Sequence, residues 1–236
     1  MTIESTPSSE IQSIAQNKDL LRQVWQNLTE TSCPYHYNFH LHTRCSDGQL
    51  SPRELMNQAT TIGLSGMAIT DHHSTLGYEI AHRWLKDRSQ DGRPQKPFPH
   101  LWTGIEITAF LGECRVHILG YAFDVKCPLM HPYQQSDRPE GAEARADQVI
   151  DALHQSGGLA ILAHPFRYRE PAADLVALAV DNGIDGLEAY YAYGNPKKLW
   201  QSSAPQTEAA KALCDQYGLL ATCGTDTHGA SLLRRI

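Results

Sequence analysis

Met67-Ala68-Ile69-Thr70-Asp71-His72-His73 is a short apolar run that stops on an acid and two imidazoles. Four to eight apolar residues bounded by polar punctuation read as a buried strand. Ending such a strand on ionisable groups is costly unless something pairs with them. The same pattern recurs along the chain. Strands are expected near 37–42, 65–70, 101–107, 116–123, 159–163, 185–190 and 219–223. They carry His40 and His42, Asp71 and His72, Glu106, His117, His164, Glu188, and Asp226 with His228, mostly at their C-terminal ends. Helical patterns lie between them. The clearest opens at Ser51-Pro52-Arg53-Glu54, a capping box with Pro at the first helical position, and stops near Gly63. Others are expected near 77–88, 142–156, 171–182 and 206–217. This alternation predicts an α/β fold with a mostly parallel sheet and helices outside, and seven strands favour a closed or nearly closed barrel. In such barrels the C-terminal strand ends form the active face.

Outward from this core, residues 1–10 are polar. The apolar set Ile11, Ile14, Leu20, Leu21, Val24, Trp25 and Leu28 predicts a helix packed outside the main fold, ended by Pro34. The division implied is 1–34 for tail and helix and 35–236 for the main domain. Two proline-rich loops, Arg88 to His100 and Cys127 to Gly141, are each open to two readings, the frame of a pocket or a mobile segment. The 236-residue length suits one domain, and 41% hydrophobic with 19% charged residues is an ordinary globular mix. A net charge of −6 argues against an extended nucleic-acid surface. No window is apolar enough to span a membrane, and Met1 to Pro7 does not read as a secretory signal. Cys33, Cys45, Cys114, Cys127, Cys214 and Cys223 form no CxxC pair, which points to a reducing, cytoplasmic setting.

The chemistry lies in the strand ends. His40 and His42, two apart on a strand, point to the same side and can grip one ion. Asp47, in the turn Ser46-Asp47-Gly48, can swing a carboxylate back over them. Asp71 either caps the next helix or supports the site, and His72 is the better ligand. His73 stays open between ligand, proton donor and surface residue. Glu106, inside Gly104-Ile105-Glu106-Ile107, offers two oxygens and can bridge two ions. His117 alternates with apolar neighbours, and alone would read as a core histidine. His164-Pro165 ends another apolar strand abruptly, and Asp226 and His228 sit two apart between Gly224 and Gly229. Each motif alone has a plainer explanation. Together, carboxylates and imidazoles suit Zn²⁺, Mn²⁺ or Fe²⁺, and nine candidate positions exceed what one or two tetrahedral ions need, so three ions is the natural count.

His40-x-His42, Ser46-Asp47-Gly48, Ile69-Thr70-Asp71-His72, Gly104-Ile105-Glu106-Ile107, His117-Ile118-Leu119-Gly120-Tyr121, Ala163-His164-Pro165 and Gly224-Thr225-Asp226-Thr227-His228-Gly229 stand in the order seen in the PHP (polymerase and histidinol phosphatase) family, which the chain resembles from about Tyr37 to Gly229. The resemblance implies a distorted (β/α)7 barrel with a trinuclear site. One ion would be held by His40, His42, Glu106 and Asp226, a second by Glu106, His117 and His164, and a third by Asp47, His72 and His228. It implies a phosphoesterase in which a metal-bridging hydroxide attacks phosphorus, with Glu106, Asp226 and His228 at the reaction centre. The substrate would be a small phosphomonoester, a nucleotide or a short oligonucleotide. A phosphatase of the histidinol-phosphate type and a non-catalytic metal-binding domain are the alternatives, and nine filled positions favour catalysis. The chain departs from the family at Asn38, two before His40, where Asp is common, and at His73, where Asp or Asn is usual. Between Tyr121 and His164 there is room for a loop and one helix, not for a large cap. Arg167, then Arg44, are the candidate phosphate cations. Asp71, His73 and Glu188 stand behind the ligands, and Tyr190, Tyr191 and Tyr193 are candidate pocket walls.

Overall fold

Local sequence signals set most of the elements. In a computed structural model that describes residues 14–90, 97–194 and 197–236, helix α1 spans Lys18–Gln26, β1 Tyr37–Asn38, α2 Pro52–Ile62, β2 Gly66–Ala68, α3 Leu76–Gln90, β3 His100–Trp102 and β4 Gly104–Leu111. Then follow β5 Cys114–Tyr121, α4 Ala146–Gln155, β6 Leu159–Leu162, α5 Ala172–Asp181, β7 Gly186–Tyr190, α6 Ala204–Tyr217 and β8 Leu220–Cys223, with single 3₁₀ turns at Pro128–Tyr133, Gly141–Ala144 and Pro165–Arg167. The capping box of α2 forms as its sequence dictates. Ser51 Oγ accepts from the Glu54 N–H at 3.3 Å, the Glu54 carboxylate accepts from the Ser51 N–H at 2.8 Å, and Gly63 ends the helix at φ 89°. The expected tail at 1–10, the start of the N-terminal helix and the middle of the loop from Arg88 to His100 lie outside the described residues.

The strands make two sheets, ordered β1-β2-β3 and β4-β5-β6-β7-β8. The pairs β1–β2, β2–β3, β6–β7 and β7–β8 are parallel, as strand–helix alternation requires. The pairs β4–β5 and β5–β6 are antiparallel, which departs from the mostly parallel expectation. The cause is the short link Gly112-Glu113, with Gly112 at φ 60°, because a parallel pair needs a crossover of a dozen or more residues. The single strand expected at 101–107 is two strands. At Thr103 the chain changes partner from β2 to β5, and a Cβ on Gly104 would collide with the Ile69 carbonyl. Backbone bonds also join the two sheets. Glu106 N–H donates to Asp71 O (3.2 Å) and His73 N–H to Glu106 O (3.0 Å). At the other seam Phe39 N–H donates to Cys223 O (3.1 Å), Asp226 N–H to His40 O (2.9 Å) and His42 N–H to Thr227 O (3.1 Å).

Helix α1 is an integral part of the packing. Its Leu21 and Trp25 are buried, and Trp25 stands edge-on to Tyr121 (5.1 Å) and Phe39 (5.7 Å). The Tyr121 hydroxyl donates to Phe39 O at 2.8 Å, so the aromatic cluster is tied to the strand that continues into His40. Asp185, just before β7, accepts from Arg22 Nη2 (2.8 Å), His154 Nε2 (2.8 Å) and Ala160 N–H (2.9 Å), linking α1, α4 and β6. Burial acts to raise this carboxyl's pKa. The hydrogen bonds from His154 and Ala160 and the charges of His154 and Arg22 outweigh it and hold the pKa below the usual range. A depressed folded pKa contributes stability above the unfolded value of about 4, and that stability is lost as pH falls through the folded value. Asp185→Ala is expected to cost about 1–3 kcal/mol at pH 7 in urea melts, with the difference from wild type shrinking as the pH is lowered through the carboxylate range.

Candidate metal centre

The polar strand ends converge. His40 and His42 follow β1 on an extended segment, with Leu41 fully buried between them. The seam to β8 brings Asp226 and His228 beside them, and a Cβ on Gly224 would strike the His40 side chain. The seam to β4 sets His72 directly opposite Glu106. Three of the converging non-glycine residues adopt left-handed backbone conformations: His73 at φ 51°, His164 at φ 31° and Asp226 at φ 52°. Such conformations cost of order 1–3 kcal/mol each and persist where the surroundings over-determine them.

Glu106 is the hub. Its Oε2 lies 3.0 Å from both His40 Nε2 and His42 Nε2 and 3.5 Å from His72 Nδ1. Its Oε1 lies 2.7 Å from His117 Nδ1 and 3.4 Å from His164 Nε2. Asp226 Oδ1 lies 3.4 Å from His40 Nε2 and 3.2 Å from His42 Nε2. Asp47 Oδ2 lies 3.2 Å from His228 Nε2 and 3.7 Å from His72 Nε2, and its Oδ1 is 3.5 Å from His42 Nδ1. Three groups of donors result: His40, His42, Glu106 and Asp226; His72, Glu106 and His117; and His42, Asp47, His72 and His228. Donors bound at 2.0–2.2 Å to one ion sit roughly 2.8–3.6 Å apart, so most of these spacings are those of a coordination shell. Hydrogen-bond accounting agrees. Both ring nitrogens of His42 and of His164, Nδ1 of His72 and of His117, and Glu106 Oε1 are buried without a hydrogen-bond partner. Orphaned donors and acceptors clustered in this way call for a cation. The residues fit divalent metal.

Electrostatics follow from burial and mutual charge. Burial opposes charge on Glu106, but the surrounding histidines, His40 foremost, hold its pKa well below the usual range, and His40 and His42 do the same for Asp226. His40 is pushed well up against its own burial by Glu188, Glu106 and Asp226. His42 is pushed up to about 9 by the neighbouring carboxylates of Asp226 and Glu106, again against burial. His72 and His73 are pushed down to about 4, chiefly by burial. The floor of the site is closed, with side chains of His40 and His42 fully buried, whereas Asp47 is 52% exposed and His72, His117 and His228 are partly exposed. Access is therefore from the Asp47 side. A cavity of about 370 Å³ lies there, lined by Asp47, His72, His73, Thr108, His117 and Arg138 among others.

The supporting residues separate by role. Glu188 accepts from His40 Nδ1 (2.9 Å) and from the His164 N–H (3.0 Å). Asp71 does not cap the next helix. It accepts from Thr43 N–H (2.6 Å), Thr43 Oγ1 (2.7 Å) and Ser46 Oγ (2.8 Å), and so shapes the loop that carries Asp47. His73 Nε2 meets Thr108 Oγ1 at 3.1 Å, off the donor clusters. Arg167 Nη1 reaches Asp226 Oδ2 (3.2 Å) and the Tyr191 hydroxyl (3.3 Å). Arg44 is exposed, gives its Nε to Gln49 O (2.6 Å) and does not line the cavity. Tyr190 faces away, its hydroxyl donating to Leu28 O. Tyr191, a candidate pocket wall in the sequence, donates its hydroxyl to Asp226 Oδ2 at 2.6 Å. Two contributors were missed in the sequence: Arg235, whose Nε donates to the same oxygen at 2.8 Å, and Arg138, which lines the cavity. Only the proline-rich character of the loop from Cys127 to Gly141 hinted at Arg138; nothing local marks Arg235.

The model of the PHP domain family matches residues 38–218. The chain is similar to the 5′-3′ exoribonuclease Rnm of Escherichia coli, 25% identical over 85% of this chain and 88% of that one. It is also similar to the 3′,5′-nucleoside bisphosphate phosphatase of Chromobacterium violaceum, 32% identical over 51% of this chain and 39% of that one. Among solved structures, a protein described as a metal-dependent phosphoesterase from Bifidobacterium adolescentis superposes with a TM-score of 0.66 at 21% identity, over 85% of this chain and 90% of that one, which shows the shared fold.

A carboxylate behind a ligating histidine fixes its tautomer, and losing such a partner typically weakens metal binding 10–100-fold. Glu188→Ala is therefore expected to lower affinity for Mn²⁺ or Zn²⁺ by about that factor in equilibrium dialysis, and Glu188→Gln, which keeps an acceptor for His40 Nδ1–H, by less. Equal affinity in all three proteins would remove Glu188 from the centre.

Proposed function

The chain belongs to the PHP domain family, and from that premise we propose that it is a metal-dependent phosphoesterase acting on nucleotides or on the ends of short oligonucleotides. The observation that carries this reading is Glu106, a buried carboxylate whose two oxygens face separate sets of imidazoles.

We assign three ions. One falls to His40, His42, Glu106 and Asp226, a second to Glu106, His117 and His164, and a third to Asp47, His72 and His228. A neutral imidazole has one lone pair, so each histidine serves one ion. His40 gives its Nδ1–H to Glu188 and His228 its Nδ1–H to Asp226 O (2.8 Å), which leaves both Nε2 atoms as ligands. His42 Nε2 is closer to Glu106 and Asp226 than its Nδ1 is to Asp47, which puts it with the first ion. Mixed carboxylate and imidazole donors suit Mn²⁺, Zn²⁺ or Fe²⁺. When bound, such ions supply a nucleophile from water near neutral pH and neutralise charge developing on phosphoryl oxygens.

The protein's own groups do the rest. Tyr191, Arg235 and Arg167 hold Asp226 Oδ2, so that Oδ1 turns to the histidines. Arg167 commits only Nη1 there, and its remaining donors suit a phosphoryl oxygen. The buried floor excludes water, and the ester enters over Asp47, His72, His117 and His228. A cavity of about 370 Å³ is near the small end for ligand pockets, which suits a mononucleotide or a chain end. The alignment with the Escherichia coli relative supports a simpler architecture here. It runs over 272 positions, and 85% of this chain is about 200 residues, so about 70 positions face gaps in this chain. We read the seams between the sheets as closing one distorted barrel of the (β/α)7 kind over residues 35–236, with 1–34 appended. Six free cysteines suit a reducing cytoplasm, and no helix among the described residues is long and apolar enough to cross a membrane.

The test is purification, metal analysis and a Mn²⁺-supplemented screen. It should include nucleoside bisphosphates, 5′-phosphorylated oligonucleotides, sugar phosphates and histidinol phosphate. Glu106→Gln is expected to reduce turnover by at least about 100-fold with an unchanged far-ultraviolet circular dichroism spectrum. Full activity in that variant, or no transition metal retained after reconstitution, would overturn the assignment.

A further inference from the structure

We infer that Tyr168 is a positioning residue of the metal centre, its hydroxyl wedged into the ladder between β5 and β6 so as to set the spacing of His117 and His164 across Glu106 Oε1. The inference rests on the metal-centre reading and adds the device that holds two of the assigned ligands apart.

β5 and β6 pair antiparallel, with Leu119 opposite Ile161 and Ile118 opposite Leu162, so the next residues in register are His117 and Ala163. Opposed residues at a hydrogen-bonded position of such a pair exchange both of their N–H···O bonds. Here one of the two is made, from Ala163 N–H to His117 O at 3.0 Å. The reciprocal bond is replaced. His117 N–H donates to the Tyr168 hydroxyl at 2.8 Å, and that hydroxyl donates to Ala163 O at 3.2 Å. A hydroxyl accepts and donates at once, so both backbone groups are satisfied through it.

The break falls where the site needs it. Successive strand residues point to opposite faces, so a regular continuation of β6 through Ala163 would send His164 away from the face that carries His117. At His164 the backbone turns instead to φ 31°. Its Nε2 then faces Glu106 Oε1 at 3.4 Å, the same oxygen that His117 Nδ1 meets at 2.7 Å. The turn Pro165–Arg167 brings Tyr168 back to the strand ends. Its ring lies against that of His164 (centroids 5.6 Å) and against the core, which fixes the hydroxyl in the gap. The two imidazoles stand edge to face, with centroids 5.4 Å apart. Without the hydroxyl, the ladder either closes on a direct bond or leaves two backbone groups unpaired, and each result alters that spacing.

The experiment titrates Mn²⁺ into wild type, Tyr168→Phe and Tyr190→Phe, with no substrate present, and reads the free ion by electron paramagnetic resonance. Tyr190→Phe is the matched control, because its hydroxyl donates to Leu28 O, away from the centre. Tyr168→Phe is expected to weaken one bound equivalent about 10–100-fold and the others less than about threefold, and Tyr190→Phe to weaken none. Equal titrations in wild type and Tyr168→Phe, or the same loss in Tyr190→Phe, would overturn the positioning role. If Tyr168→Phe does not fold, amide hydrogen exchange in the wild type decides. Coupling is reciprocal, so Zn²⁺ should slow exchange at the His117 amide at least about tenfold and at Leu119, one hydrogen-bonded pair along the ladder, by less. Equal slowing at both refutes the wedge. A wild type that binds Mn²⁺ but hydrolyses no ester sinks the phosphoesterase reading by itself and leaves the titration to decide Tyr168. A wild type that holds no Mn²⁺ overturns the centre and the wedge together.

Discussion

A carboxylate with almost no access to water, Glu106, is the constraint around which the other parts are arranged. Burying an ionised carboxylate costs several kcal/mol unless partners surround it. Here the partners are imidazoles delivered by strands that are far apart in sequence, so the chain must bring the segments after β1, β2 and β6 and the middle of β5 to one point. The left-handed backbones at His73, His164 and Asp226 are where strands turn away immediately after presenting a side chain. The supporting carboxylates divide the remaining work. Glu188 holds His40 and the backbone of His164, and Asp71 holds the loop that carries Asp47.

Asp226 shows how charge is apportioned in the site. One oxygen faces the histidines and the other receives Tyr191, Arg167 and Arg235. The two oxygens are thus not interchangeable, and the one aimed at the centre is selected by donors from three other places in the chain. The gradient from a dry floor to a wet rim gives the site a direction. Donors around Glu106 are shielded from water, whereas Asp47, His72, His117 and His228 are open to it.

Some parts were legible because they are local. The helix at Ser51 carries its own cap and stop, and the apolar runs carry their own strand signal. The histidines and acids were legible because ending an apolar strand on ionisable groups has few structural uses. Other parts had no local trace. The hairpin of β4 and β5 was hidden because the apolar alternation runs on past Glu106 to Leu111, with only Gly112 marking the reversal. The break between β3 and β4 reflects a change of neighbour, which no single strand encodes. Trp25 looked like the apolar face of an external helix, and only its contacts with Phe39 and Tyr121 show what it supports.

From sequence alone come the identity of the nine candidate ligands, the α/β alternation and the resemblance to the PHP family, because these depend on residue type and order along the chain. Tertiary structure alone decided which ligands share an oxygen of Glu106, which arginines are already committed, and which side of the site is open. Those are relations between atoms separated by tens to hundreds of residues. They follow from strand pairing and side-chain direction, which the pattern of any one segment leaves undetermined.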